Sequence, residues 1–229
     1  MTHKFQAAMV DLDGTLIDTL GDFEVALNLM LADFGHAAVD RAFVERTVGK
    51  GGEYLIASTL KYIQNRPVVL EDGTKLAIQN IAFDLAYIRY EHHYQTINGQ
   101  ASEVYAGVIQ GLQRMQMAGF KLACLTNKPT AFAIPLLQAK GLDGYFSQVF
   151  GGDAFALKKP DPLPLLKTCE ALGTLPAQTL MIGDSSNDAQ AARAAGCPLV
   201  LVTYGYNHGE DIRQERAIAH VDSLAELVF

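Results

Sequence analysis

Two aspartates set two residues apart, Asp11 and Asp13, close the apolar run Phe5-Gln6-Ala7-Ala8-Met9-Val10 and are followed by Gly14. The run reads as a buried strand, and glycine gives the chain the freedom to turn sharply out of it. Residues two apart on a strand point to one side, so both carboxylates converge where the strand ends. Carboxylates that close repel and raise each other's pKa unless something offsets the charge. The arrangement implies a metal ion, a shared proton, or both; its bland rival is an Asp-Gly turn with solvated acids. Three later segments decide between them. Lys121-Leu122-Ala123-Cys124-Leu125 runs into Thr126-Asn127-Lys128-Pro129, Thr179-Leu180-Met181-Ile182-Gly183 runs into Asp184-Ser185-Ser186-Asn187-Asp188, and Lys158-Lys159-Pro160-Asp161-Pro162 opens a helix between them. Hydroxyl, lysine and carboxylate groups thus recur at the carboxyl ends of strands, where open α/β sheets bind ligands. Together they make up a phosphoryl-transfer kit.

The elements that must position these groups are legible in outline. Leu20, Phe23, Leu27, Met30, Leu31 and Phe34 fall at helical spacing, with Gly35 as a stop. Further helices are predicted over about 40–48 and 53–63, a loop at Asn65-Arg66-Pro67 and Glu71-Asp72-Gly73, and a longer helix over about 75–96 ended by Asn98-Gly99. Strand–helix alternation is missing from this block and present from Lys121 onward. The predicted fold class is therefore α/β, a doubly wound, mostly parallel Rossmann-like sheet formed by residues 1–18 and 103–229, with an all-helical cap over 19–102 inserted after the first strand.

In this setting the chain resembles the haloacid dehalogenase superfamily in its phosphatase branch. Asp11-Leu12-Asp13-Gly14-Thr15 fits the first family motif, Thr126-Asn127 the second, Lys159-Pro160 the third and Gly183-Asp184-Ser185-Ser186-Asn187-Asp188 the fourth, in order along essentially the whole length. Gly196-Cys197-Pro198 and Thr203-Tyr204-Gly205-Tyr206-Asn207 are similar to the bacterial phosphoglycolate phosphatases. The resemblance implies Asp11 as nucleophile, giving an aspartyl-phosphate. Asp13 would be the acid that protonates the leaving alkoxide and then the base that activates water. It implies a magnesium ion held by the Asp11 carboxylate, the Asp13 backbone carbonyl and Asp184. Thr126 and the Asn127 backbone would bind phosphate oxygens, and Lys159 would set a positive charge against them. The substrate would be a small phosphorylated metabolite, 2-phosphoglycolate before others. A sugar-phosphate mutase, or a phosphatase for another such metabolite, is the alternative. A phosphorylatable receiver-like switch, a dehalogenase or a phosphonate hydrolase would have no use for Asp13.

Several residues carry two readings. Ser185 and Asp188 fit a helix N-cap with an acid at its third position, a start that would also steer Asp188 toward the metal's ligands from outside. Asp161-Pro162 reads as a cap followed by proline, Asp18 and Thr19 as the cap of the helix after them, and Lys158, His92 and His93 as solvated. Val48-Gly49-Lys50-Gly51-Gly52 is either a flexible connector with a solvated lysine or a cap loop whose Lys50 meets a substrate carboxylate. Where the chain returns from cap to core, Val104-Tyr105-Ala106-Gly107-Val108 has alanine at a position where the relatives often have proline, which leaves that hinge less restricted.

Composition fits this reading. At 229 residues, 49% of them hydrophobic, the chain can bury a sizeable core. A formal charge of −7 without a basic stripe argues against nucleic-acid and membrane-surface partners. Cys124, Cys169 and Cys197 show no metal-ligand spacing, and Cys124 reads as a small core residue. With no signal peptide or membrane-spanning run expected, a cytoplasmic location follows.

Overall fold

The structure is a computed structural model, and it describes residues 5–66, 68–69, 75–76 and 81–228. The apolar run at the start forms β1 (Ala7–Val10), and a tight turn through Gly14 leads to the short β2 (Ile17–Asp18). Helices α1 (Leu20–Asp33), α2 (Arg41–Thr47) and α3 (Gly52–Gln64) follow, then strands β3 (Val68–Val69) and β4 (Lys75–Leu76), and helix α4 (Phe83–Ile97). The chain returns through β5 (Glu103–Val104) and continues as α5 (Val108–Met117), β6 (Lys121–Leu125), α6 (Thr130–Ala139), β7 (Gln148–Phe150) and α7 (Leu163–Leu172). It ends with β8 (Thr179–Gly183), α8 (Ser186–Ala195), β9 (Leu199–Val202) and β10 (Ala219–Val221).

Six strands form one sheet in the order β10-β9-β8-β1-β6-β7, every neighbouring pair parallel. The burial pattern explains why its strands read as unbroken apolar runs. Ala8, Val10, Leu122, Cys124, Leu180 and Ile182 face a core that includes Val108, Leu112, Leu136 and Leu137 of α5 and α6. Their alternates Ala7, Met9, Ala123, Leu125 and Met181 face a second core with Leu165, Leu172, Ala189 and Ala192 of α7 and α8. Both faces are covered, so neither can be polar. From β1 the chain builds β6 and β7 to one side and β8, β9 and β10 to the other. The carboxyl end of β1 is therefore the switch point of the sheet, where a crevice forms.

Helices α1 to α4 bury a third core, among them Phe23, Leu27, Met30, Val44, Leu55, Ile56, Tyr90 and Tyr94, which also takes in Tyr206 from the loop after β9. The antiparallel pair β2–β5 joins the two crossings between this block and the sheet. The helix expected over 75–96 is shorter than its sequence suggested. Lys75–Leu76 pairs antiparallel with Val68–Val69, and the buried helical series Ala86, Tyr90 and Tyr94 belongs to a helix that begins only at Phe83. Of the expected loop, Asn65 and Arg66 follow α3, while Pro67 and Glu71-Asp72-Gly73 lie outside the described residues. No described helix is long and apolar enough to cross a membrane.

Candidate active site

The site grows from the carboxyl ends of β1, β6 and β8. Asp11 follows β1 directly, and its backbone N–H donates to the Ile182 carbonyl of β8 at 2.9 Å, which ties the turn to the neighbouring strand. Asp184 follows β8. Its Oδ1 accepts from the Thr15 hydroxyl at 3.0 Å and its Oδ2 from the Tyr206 backbone N–H at 2.8 Å. The backbone packs close here, since a Cβ on Gly205 would lie 2.2 Å from that of Asp184. Asp188 does what an acid at the third position of a helix does, accepting the Ser185 backbone N–H at 3.1 Å and its hydroxyl at 2.8 Å. Its other oxygen lies 2.7 Å from the Lys159 ammonium, which also contacts Asp11 Oδ1 at 2.8 Å and donates to the Leu125 carbonyl at 2.9 Å.

Asp11, Asp184 and Asp188 are buried, each with an oxygen within 4.8 Å of the others. Three buried carboxylates face a single ammonium there, and the balance of charge shows in their titration. Burial first, then Asp188 and Asp13 against the opposing pull of Lys159, pushes Asp11 up to about 7. Burial and then the charges of Asp11 and Asp188 raise Asp184 well above the usual carboxylate range. Burial works against the charge on Lys159, but Asp11 and Asp188 outweigh it and hold the ammonium above its ordinary pKa. Asp11 Oδ1 is buried and accepts no well-directed hydrogen bond despite its contact with Lys159. A surplus of buried negative charge, with oxygen donors converging and one of them unsatisfied, fits a hard divalent cation such as magnesium.

Asp13 stands apart from this trio. Its Oδ1 accepts from the Thr19 hydroxyl at 2.8 Å and from Lys128 Nζ at 2.9 Å. Thr19 therefore serves Asp13, and α1 is capped from elsewhere: the Tyr206 hydroxyl accepts the Thr19 and Leu20 backbone N–H groups and donates to Asp18, which itself accepts from Leu20. Directly after β6, the Thr126 hydroxyl is buried and accepts the Lys128 backbone N–H at 3.1 Å. The Asn127 side chain clasps the Lys159 backbone from both sides, accepting its N–H at 3.0 Å and donating to its carbonyl at 2.9 Å. It also donates to the Gly49 carbonyl of the glycine-rich loop, as does Asn187.

A cavity opens over these groups. Asp11, Asp13, Thr126, Asn127 and Lys128 form its floor, and Phe23, Leu55, Tyr90, Tyr94 and Phe132 its apolar walls. Gly49, Gly51 and Gly52 line it, but Lys50 does not. The Lys50 side chain is exposed and its ammonium lies 4.9 Å over the Tyr54 ring. Lys158 pairs with Glu53 at 2.7 Å. His93 is not merely solvated, because Asp33 lies 2.7 Å from its Nε2 and also pairs with Arg89.

Sequence reasoning passed over Lys128, which is 4% exposed. Its ammonium contacts Asp13 and the Tyr94 hydroxyl and sits 4.4 Å from the centre of the Phe23 ring. A lysine between asparagine and proline after a strand has the signature of a solvated loop, and only the aromatic residues of α1 and α4 bury it.

The sequence profile of the haloacid dehalogenase-like hydrolases matches residues 8–202. The chain is 40% identical to a phosphoglycolate phosphatase of Thiobacillus denitrificans over 221 residues, 96% of this chain and 93% of the relative. It is 41% identical to one of Nitrosospira multiformis over the same shares. The crystal structure of a predicted phosphoglycolate phosphatase from Haemophilus somnus superimposes with a TM-score of 0.88 at 31% identity, covering 99% of this chain and 97% of the other.

Proposed function

We propose, for a chain that belongs to the haloacid dehalogenase-like hydrolases, magnesium-dependent hydrolysis of 2-phosphoglycolate through an aspartyl-phosphate. That it is a phosphatase follows from its family and its relatives. The observation supporting the finer reading is the meeting of Asp11, Asp13, Thr126, Lys159 and Asp184 at one switch point, beneath a cavity walled by apolar and aromatic side chains.

In this reading the Asp11 carboxylate attacks phosphorus and the bond from phosphorus to the ester oxygen breaks. That oxygen takes the proton held by Asp13 and leaves as the alcohol. Asp13, now ionised, withdraws a proton from a water that attacks the phosphorus of the acyl phosphate, which releases inorganic phosphate and restores Asp11. Thr126 and the Asn127 backbone hold phosphate oxygens, and Lys159, kept in place by Asn127 and Asp188, opposes their charge. Asp11, Asp184 and the Asp13 carbonyl would hold magnesium, which would supply charge neutralisation for the carboxylates and the phosphoryl group. Asp188 orients this set from outside it. Residues 19–102 act as a cap, hinged at the β2–β5 ladder, that closes over the cavity to exclude bulk water.

The test is a panel of phosphomonoesters with magnesium, scored by kcat/KM. Release of phosphate with 2-phosphoglycolate at the head supports the reading. Phosphate transfer within a sugar phosphate without net release would replace it by a mutase.

A further inference from the structure

We infer that Lys128 is the specificity determinant of this site, and that it selects phosphate esters of short α-hydroxy acids by binding their carboxylate. The inference rests on the phosphatase reading above and assigns what that reading leaves open. Among the described residues Lys128 is the one cation that lines the cavity, whose other charged lining residues are Asp11, Asp13 and Glu91. Its side chain is 2% exposed, and its ammonium is boxed by the faces of Phe23 and Tyr94, with one carboxylate, Asp13, in ion contact. An ammonium taken that far out of water is costly unless anions or aromatic faces surround it. The site invests in it although Lys159 already stands beside the nucleophile.

Position decides which anion it reads. Lys128 Nζ lies 2.9 Å from the Asp13 oxygen, and Asp13 is the group that meets the ester oxygen of the substrate. A carboxylate attached one carbon from that ester oxygen falls next to the same ammonium. A tail in which the carboxylate is carried several carbons further leads it away from Lys128 toward Leu55 and Phe132, and the cavity lining offers no second cation among the described residues. Lys50 cannot take the role in this arrangement, because its ammonium points out over Tyr54. The class that fits is small and defined: a phosphoryl group, one carbon, and a carboxylate.

The experiment compares 2-phosphoglycolate, 2-phospholactate, the three-carbon ester with its carboxylate one carbon further away, and ethyl phosphate, all with magnesium. The enzymes are wild type, Lys128→Met and Lys128→Gln, and circular dichroism checks the fold. Lys128→Gln keeps polar contact with Asp13 and Tyr94 and serves if the methionine variant does not fold. Wild type should prefer the two α-carboxylated esters. Removing the charge should raise their KM by at least about tenfold, the worth of a charged hydrogen bond, and abolish the preference over ethyl phosphate. If Lys128 only positions Asp13, kcat falls alike on all four esters and the preference survives, which overturns the assignment. So does a wild-type enzyme that hydrolyses ethyl phosphate as well as 2-phosphoglycolate. Failure of the wild-type enzyme to release phosphate from any ester would instead defeat the proposed function.

Discussion

Asp11 and Asp13 are separated by one residue yet sit in opposite surroundings, and their proposed roles follow from that. Asp11 shares its buried pocket with two carboxylates and the Lys159 ammonium, whereas Asp13 is held by a hydroxyl and Lys128. Asp11→Asn should abolish turnover, because the amide cannot form the acyl phosphate. Asp13→Asn should slow hydrolysis of alkyl phosphates by about 10²–10⁴-fold, the usual contribution of a positioned proton donor. It should slow formation of the phosphoenzyme from p-nitrophenyl phosphate far less, since that leaving group needs no proton. Rapid-quench rates for both esters check this, and equal slowing would remove Asp13 from the acid role. These acids, with Thr126 and Asp184, were legible in sequence because each stands at the end of an apolar run and strand ends converge, and Lys159 was legible from the Lys-Pro motif before a helix. Lys128 was not, since its burial depends on segments distant in the chain, and the service of Thr19 to Asp13 was not, since it depends on how the turn between them folds.

The elements are coupled through the loop after β9. Tyr206 donates its backbone N–H to Asp184 in the site and caps the first turn of α1 with its hydroxyl, so one residue ties the carboxyl end of β8 to the start of the helical block. Tyr206→Phe should cost about 1–3 kcal/mol, because it leaves the buried Thr19 backbone N–H without an acceptor, while that of Leu20 keeps Asp18. Urea denaturation measures this, and a loss below about 0.5 kcal/mol would show that water replaces the hydroxyl. The three strands read from the sequence, β1, β6 and β8, are the central ones of the sheet, where burial on both faces leaves a continuous apolar signature, whereas the shorter β7 and β10 and the strand β9 were not read. Sequence reasoning misjudged the start of α4, because the pairing of Lys75–Leu76 with Val68–Val69 is invisible to helical periodicity. That Tyr206 rather than Thr19 caps α1 was also beyond reach, the partners being 187 residues apart.

At the scale of the whole molecule, the site stores negative charge that the fold alone does not balance. Burial pushes the Asp11 carboxyl up to about 7 in the folded protein, well above the usual carboxylate range, and raises Asp184 as well. A raised acid binds its proton more tightly folded than unfolded, so stability is lost as pH rises through the window from about 4 to 7. The metal-free protein should therefore melt lower at pH 7.5 than at pH 5. Millimolar magnesium should raise Tm at pH 7.5 and do much less at pH 5, where protons already occupy the carboxylates. A Tm indifferent to magnesium at pH 7.5 would argue against a cation among these aspartates. The central claim, that Asp11 carries the phosphoryl group, is open to one direct measurement. Enzyme quenched in mid-turnover on 2-phosphoglycolate and reduced with borohydride should contain homoserine at position 11 by peptide mass spectrometry, dependent on both magnesium and substrate. Full turnover with aspartate intact at position 11 and no reduced residue there would contradict it.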